Sequence, residues 1–170
     1  MESSPQARKI LSKLNYDFRA FTIDHFIGWI EEIKHRQIVL IPWRMPSGMF
    51  GAWMSDGDEP REFIFYRNNV TLLHKIHIQL HELSHFLCGH PTKSITRKSL
   101  QESRDGIREL PFNELVKLRS PEMSTYEQEA ETLASLIQEQ VIRHSQIQQL
   151  TRGISSDEKI AEYLKDLGLI

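Results

Sequence analysis

Cysteine is nearly absent: Cys88 is the single one among 170 residues. This excludes an intrachain disulfide framework and any zinc site built from several thiolates, and it fits a reducing compartment. A basic excess is missing too. Against 21 Lys and Arg stand 23 Asp and Glu, for a formal charge of −2, so no general attraction to nucleic acid is built in. No apolar run approaches the roughly 18 residues of a membrane span. The opening MESSPQARKI has no apolar stretch of the secretory kind. The composition therefore reads as a soluble, cytoplasmic protein with no membrane partner and no direct nucleic-acid partner. With 39% hydrophobic and 26% charged residues, one domain over 1–170 with an ordinary core is expected, and wholesale disorder is excluded.

What is abundant is histidine. There are eight, and His74, His77, His81 and His85 fall within twelve positions. Around them the chain reads as mixed helix and strand. Ser4-Pro5 has the form of an N-cap with a first-turn proline. A second helix is expected from Thr22 or Asp24 to about His35–Gln37, with Phe26, Ile27, Ile30 and Ile33 on one face. Three strands follow, Ile38–Ile41, Phe50–Met54 and Arg61–Arg67, with short connections that favour pairing between neighbours. Asn68 or Asn69 is the expected cap of a helix over Val70–Cys88, which Gly89 closes and Pro91 stops. Residues 92–110 are polar and charged, and the stretch 92–120 reads as a surface insertion. Pro121 or Ser124 opens a long helix to about Gln149, and Ser155-x-x-Glu158 is a capping box for a last helix over about 156–167.

His81-Glu82-Leu83-Ser84-His85 is an H-E-x-x-H motif. Residues four apart on a helix lie about 40° apart around its axis and one turn apart along it. Two imidazoles at that spacing converge on one Zn²⁺ at about 2.0–2.1 Å. Glu82 then flanks the metal without ligating it and can take a proton from an attacking water. His77 shares the same face, but three successive turns cannot reach one ion, because the outer pair is about 12 Å apart. Only the 81/85 pair has a glutamate directly after its first histidine, so His77 is read as exposed or behind the ligands and His74 as solvated.

A catalytic zinc needs a third protein ligand and an open position. The pattern H-E-x-x-H-x-x-G-x-x-H fails by one residue twice, since Cys88 and Pro91 stand where glycine and histidine are needed. His90 is accordingly placed at the site rim or the surface, and Cys88 is read as a small buried thiol. The better source is Tyr126-Glu127-Gln128-Glu129-Ala130-Glu131. Glu127 and Glu131 share one helix face, and alanines at 130 and 134 would let that helix approach the motif helix closely. Glu127 is the candidate third ligand. Glu131 is the candidate acceptor for the free ring nitrogen of a ligand histidine. Glu129, about 200° around the helix from Glu127, is expected to be solvated. Tyr126 and His90 are accessory candidates for stabilising an oxyanion.

With both motifs in view, the chain resembles the ImmA/IrrE family of zinc metallopeptidases. HELSHFLCGH, residues 81–90, is close to that family's H-E-L-x-H-x-x-x-x-H, and YEQEAETLASLI, residues 126–137, is similar to its E-x-x-A-(N/D)-x-F-A-x-x-L-L. The likeness spans roughly residues 22–140 and departs at Glu131 and Leu133, where the family has Asn or Asp and Phe. The resemblance implies Zn²⁺ held by His81, His85 and Glu127, with Glu82 as general base and acid. It also implies a regulatory protein partner such as a helix-turn-helix repressor or an antitoxin. The expected fold is α+β: a small zincin-like domain with its core over about 22–150, and a short three-stranded sheet packed on the H-E-x-x-H helix and flanking helices. The expected activity is zinc-dependent endopeptidase. The alternative is a non-proteolytic zinc-binding interaction or sensor protein on the same fold.

Overall fold

Helix signals in the sequence translate directly into elements. In the computed structural model, which describes residues 4–151 and Asp166 and only the backbone of 146–151, helix α1 spans Pro5–Lys13 and the Ser4 hydroxyl caps it by accepting from the Ala7 N–H. A 3₁₀ turn at Phe18–Ala20 leads into α2, Ile23–Lys34, capped by Thr22. Three strands follow: β1 (Gln37–Pro42), β2 (Gly51–Asp56) and β3 (Arg61–Tyr66). Helix α3, Leu72–Cys88, is capped by Thr71 rather than by Asn68 or Asn69. Thr71 stands in extended backbone immediately before the helix, where its hydroxyl accepts from the His74 N–H. Helix α6, Met123–Thr151, opens between the two expected starts. The last expected helix, over 156–167, lies outside the described residues apart from Asp166.

The sheet corrects two expectations. It has four strands rather than three, in the order β1-β3-β2-β4, where β4 is the pair Ser94–Ile95. Neighbouring strands β1 and β2 do not pair. β3 inserts between them, parallel to β1 and antiparallel to β2, while β4 runs parallel to β2. Burial explains the choice: Glu62–Phe65 are buried on both faces, so β3 belongs in the interior, whereas β1 is half exposed and takes an edge.

The third correction concerns residues 92–120. This stretch is not only a polar surface insertion. Besides β4 it forms helices α4 (Arg97–Arg104) and α5 (Phe112–Arg119). Ile95, Leu100, Leu110, Phe112 and Leu115 pack with Ala52, Met54, Phe63 and Phe65 on one face of the sheet. On the other face Ile38 and Ile64 meet α1, α2, α3 and α6 through Ala7, Phe26, Ile30, Leu80, Leu83, Leu133 and Ile137. A strand whose two faces are both apolar needs a layer on each side. Five scattered apolar residues in a charged stretch supply the second one. No helix among the described residues is long and apolar enough to cross a membrane.

Candidate metal centre

Helices α3 and α6 meet through small or fully buried side chains: Ser84 on α3, and Ala130 and Ala134 on α6, have no exposed surface. Their close approach brings one face of α3 against one face of α6. His81 Nε2 lies 2.9 Å from Glu127 Oε2, His85 Nε2 lies 3.2 Å from Glu127 Oε1, and the two ring nitrogens are 3.2 Å apart. Three ligand atoms from His81, His85 and Glu127 thus form one group able to hold a metal ion. Tetrahedral ligands at 2.0–2.1 Å from an ion stand about 3.3 Å from one another. The two ring nitrogens meet different oxygens of Glu127, and each of the three spacings is within a few tenths of an ångström of that edge, so the donors can close around a Zn²⁺-sized ion with a small adjustment.

The surroundings favour the same reading. Glu131 Oε2 sits 3.0 Å from His81 Nδ1, the ring nitrogen turned away from the triangle, and so accepts its N–H and leaves Nε2 free to ligate. Glu131 also reaches His77 Nε2 at 3.1 Å, while His77 Nδ1 faces Gln138; His77 is a buttress outside the triangle. Burial drives His85 down to about 4, so it is a neutral ligand at pH 7. Burial pulls His81 the same way, but hydrogen bonding and charge from Glu127, Glu82 and Glu131 outweigh it and hold the imidazole up at about 9. Against its own burial, the Glu127 carboxyl is held far below the usual range by the hydrogen bond and charge of His81. Without an ion, a proton on His81 holds this cluster of donors together.

Glu82 lies on the cleft side of the pair. Burial raises it to about 7, partly offset by His81 and Arg119, and the Trp53 backbone N–H donates to it. Its Oε2 is buried with no partner among the described residues. Gly51 makes room for it: a Cβ there would stand 2.9 Å from Glu82 Cγ and 2.7 Å from Ile78 Cγ2. A cleft of 320 Å³ opens on this side, lined by Gly51, His81, Glu82, Arg119, Glu127 and apolar residues such as Phe50. His74 lines it too, with its ring 5.0 Å from that of Phe50.

Arg119 is the site residue that the sequence reading missed. It ends α5, is 4% exposed, donates from Nε to the Pro91 carbonyl, and brings Nη1 to 3.8 Å from Glu127 Oε1. Its charge balances Glu82 and Glu127. Nothing in the sequence separates it from the other basic residues of 93–119; only the fold of that stretch turns it inward.

Three further expectations are corrected. His90 is buried, not at the rim or surface: its Nδ1 is 2.8 Å from His85 Nδ1. Glu129 is not simply solvated, because its Oε2 meets His90 Nε2 at 2.7 Å. Tyr126 packs its ring 4.8 Å from that of His90 and does not line the cleft. Cys88 is half-buried and, with His90 and Glu129, forms a second group of potential ligand atoms. Burial raises its thiol to about 12, so the thiolate is not formed at neutral pH. In comparisons with known proteins, no family model, curated protein or solved structure matches this chain.

Proposed function

We propose that this protein is a zinc-dependent endopeptidase acting on a specific regulatory protein, with a helix-turn-helix repressor or an antitoxin as the expected substrate class. The observation that carries the reading is the pairing of a three-residue donor group with Glu82 on its cleft side, whose Oε2 is buried without a partner among the described residues. A purely structural metal closes its coordination with protein ligands, whereas three ligands beside a cleft leave a position for chemistry. The likeness of residues 81–90 and 126–137 to the ImmA/IrrE motifs supports the same class.

A bound Zn²⁺ supplies Lewis acidity for the scissile carbonyl and acidifies the attacking water. His81, His85 and Glu127 hold it there. Glu82, kept near neutrality by burial and lowered again beside a dication, accepts the proton of the attacking water and delivers it to the leaving amine. Arg119 Nη2, without a partner among the described residues, takes over from Tyr126 and His90 as the donor for the carbonyl oxygen. β4 covers β2 only at Ser55–Asp56, and the edge-facing groups of Trp53 are occupied by Glu82 and the Thr92 hydroxyl. The edge left for an extended substrate is therefore the stretch around Gly51, directly beside Glu82.

The test is Glu82→Gln, which keeps the shape and removes the basicity. Co-expressed with products of neighbouring genes, the wild type should generate new termini visible by mass spectrometry. Glu82→Gln should lower that cleavage by about 10²–10⁴-fold while zinc content stays near one per chain. If the cellular phenotype survives Glu82→Gln but not loss of zinc, the protein works by binding and the peptidase reading is wrong.

A further inference from the structure

The C-terminus of α3 does more than stop a helix. The Gly89 N–H bonds to the Phe86 carbonyl at 3.0 Å, and the His90 N–H to the His85 carbonyl at 3.1 Å. Gly89 adopts φ 69°, the left-handed region. This pair of bonds is the Schellman motif, which sets the second residue past the helix against the residue three positions before its last. Those two residues are usually apolar. Here they are His90 and His85, and the motif places their rings in contact through Nδ1···Nδ1 at 2.8 Å.

Hydrogen-bond directions can be read inward from the far end. A carboxylate only accepts, so at 2.7 Å from Glu129 Oε2 it is His90 Nε2 that carries the proton. A neutral imidazole has one N–H, so His90 Nδ1 is bare and must accept. His85 Nδ1 must then donate to it, which leaves His85 Nε2 bare and turned toward His81 Nε2 and Glu127 Oε1. We propose that Glu129 and His90 are positioning residues that act through His85, fixing the tautomer and ring plane in which it offers Nε2 to the metal. His81 receives the same service from Glu131 directly; His85 receives it through an interposed imidazole, because no carboxylate among the described residues reaches its Nδ1. His90 Nε2 is also the nitrogen that an ion held by Cys88, His90 and Glu129 would take, so this positioning role and a second metal site there are mutually exclusive.

The inference rests on the metal-site part of the proposed function and not on peptidase activity. Its test uses the full chain with zinc alone, in competition with a chromophoric chelator. His90→Leu removes the acceptor for His85 Nδ1–H and should weaken zinc binding by about 10–100-fold, the usual cost of losing a partner of a ligand histidine. His90→Gln restores an acceptor and should recover part of that loss, which a merely space-filling role does not predict. Glu129→Gln should weaken binding in the same direction by less. In zinc-loaded wild type, long-range proton–nitrogen correlation of the imidazoles should find the proton on Nδ1 of His85 and on Nε2 of His90. A proton on Nδ1 of His90 would overturn the proposal, as would unchanged zinc affinity in both His90→Leu and Glu129→Gln. Two zinc ions per chain, the second lost on Cys88→Ser, would overturn it too. Zinc uptake that depends on His90 in a protein that cleaves nothing would sink the peptidase reading and leave this one standing. A wild type that takes up no zinc defeats both.

Discussion

Two polar clusters, one buried and one at the cleft, lie on the α3 side of the same sheet, and they are built on opposite principles. Glu62 on β3 is 3% exposed and accepts from Arg36 Nε at 2.6 Å, Trp53 Nε1 at 2.7 Å and the Ser55 hydroxyl at 2.7 Å. Every partner is a donor, so the network is complete within the chain. In the cluster of His81, His85 and Glu127 the facing atoms are chiefly acceptors crowded within 2.9–3.2 Å. Beside it Glu82 Oε2 and Arg119 Nη2 have no partner among the described residues. Donors gathered around an acceptor stabilise a fold. Lone pairs gathered around a point, with a proton standing in on His81, call for a cation. The difference separates a structural carboxylate such as Glu62 from a candidate site carboxylate such as Glu82 more sharply than burial does, since these two are both buried.

The comparison can be broken in three ways. The largest effect is expected from His81→Gln/His85→Gln, which should take zinc from one per chain to none while the metal-free protein stays folded. Stoichiometric zinc in that double variant, measured by atomic emission, would place the metal elsewhere. Glu62→Ala should do the reverse. It leaves the Trp53 and Ser55 donors without their acceptor and the one-third-exposed Arg36 unpaired, and should cost about 1–3 kcal/mol in denaturant unfolding, with zinc stoichiometry intact in the folded fraction. Loss of zinc without loss of stability would show that the two clusters had been assigned the wrong way round.

The smallest and most diagnostic effect is on pH. In the metal-free protein His81 is held up at about 9, so at pH 7 its proton must leave before Nε2 can ligate. Protons therefore compete with zinc below pH 9. Affinity should rise at least about tenfold per pH unit from pH 7 toward 9 and then flatten, with more than one proton released per zinc at pH 7, because Glu82, near 7 without metal, sheds its proton beside the dication as well. Calorimetry in buffers of different ionisation enthalpy counts those protons directly. Uptake with no proton release at pH 7 would mean that His81 is already neutral, and that the acceptor crowding described above is relieved in some other way.

Much of the site was legible because it depends on helical spacing. His81 and His85 on one face, Glu127 and Glu131 on another, and the alanines that let two helices approach are all one-dimensional patterns with a three-dimensional meaning. Gly89 was readable as a helix cap. Carried two steps further, that reading would have set His90 against His85, because the cap geometry is local. The rest was not local. Arg119 and Glu129 look like any other charged residues of their stretches, and their roles arise from what lies opposite.

The sequence by itself determined the elements outside 92–120, the apolar faces of α3 and α6, and the helix faces that carry His81, His85 and Glu127, because each follows from periodicity within a single helix or strand. Only the tertiary structure decided the insertion of β3 between β1 and β2, the use of 92–120 as a second core layer, and the inward turn of Arg119 and Glu129. These depend on which apolar surfaces cover which, a competition among distant segments that no local spacing records.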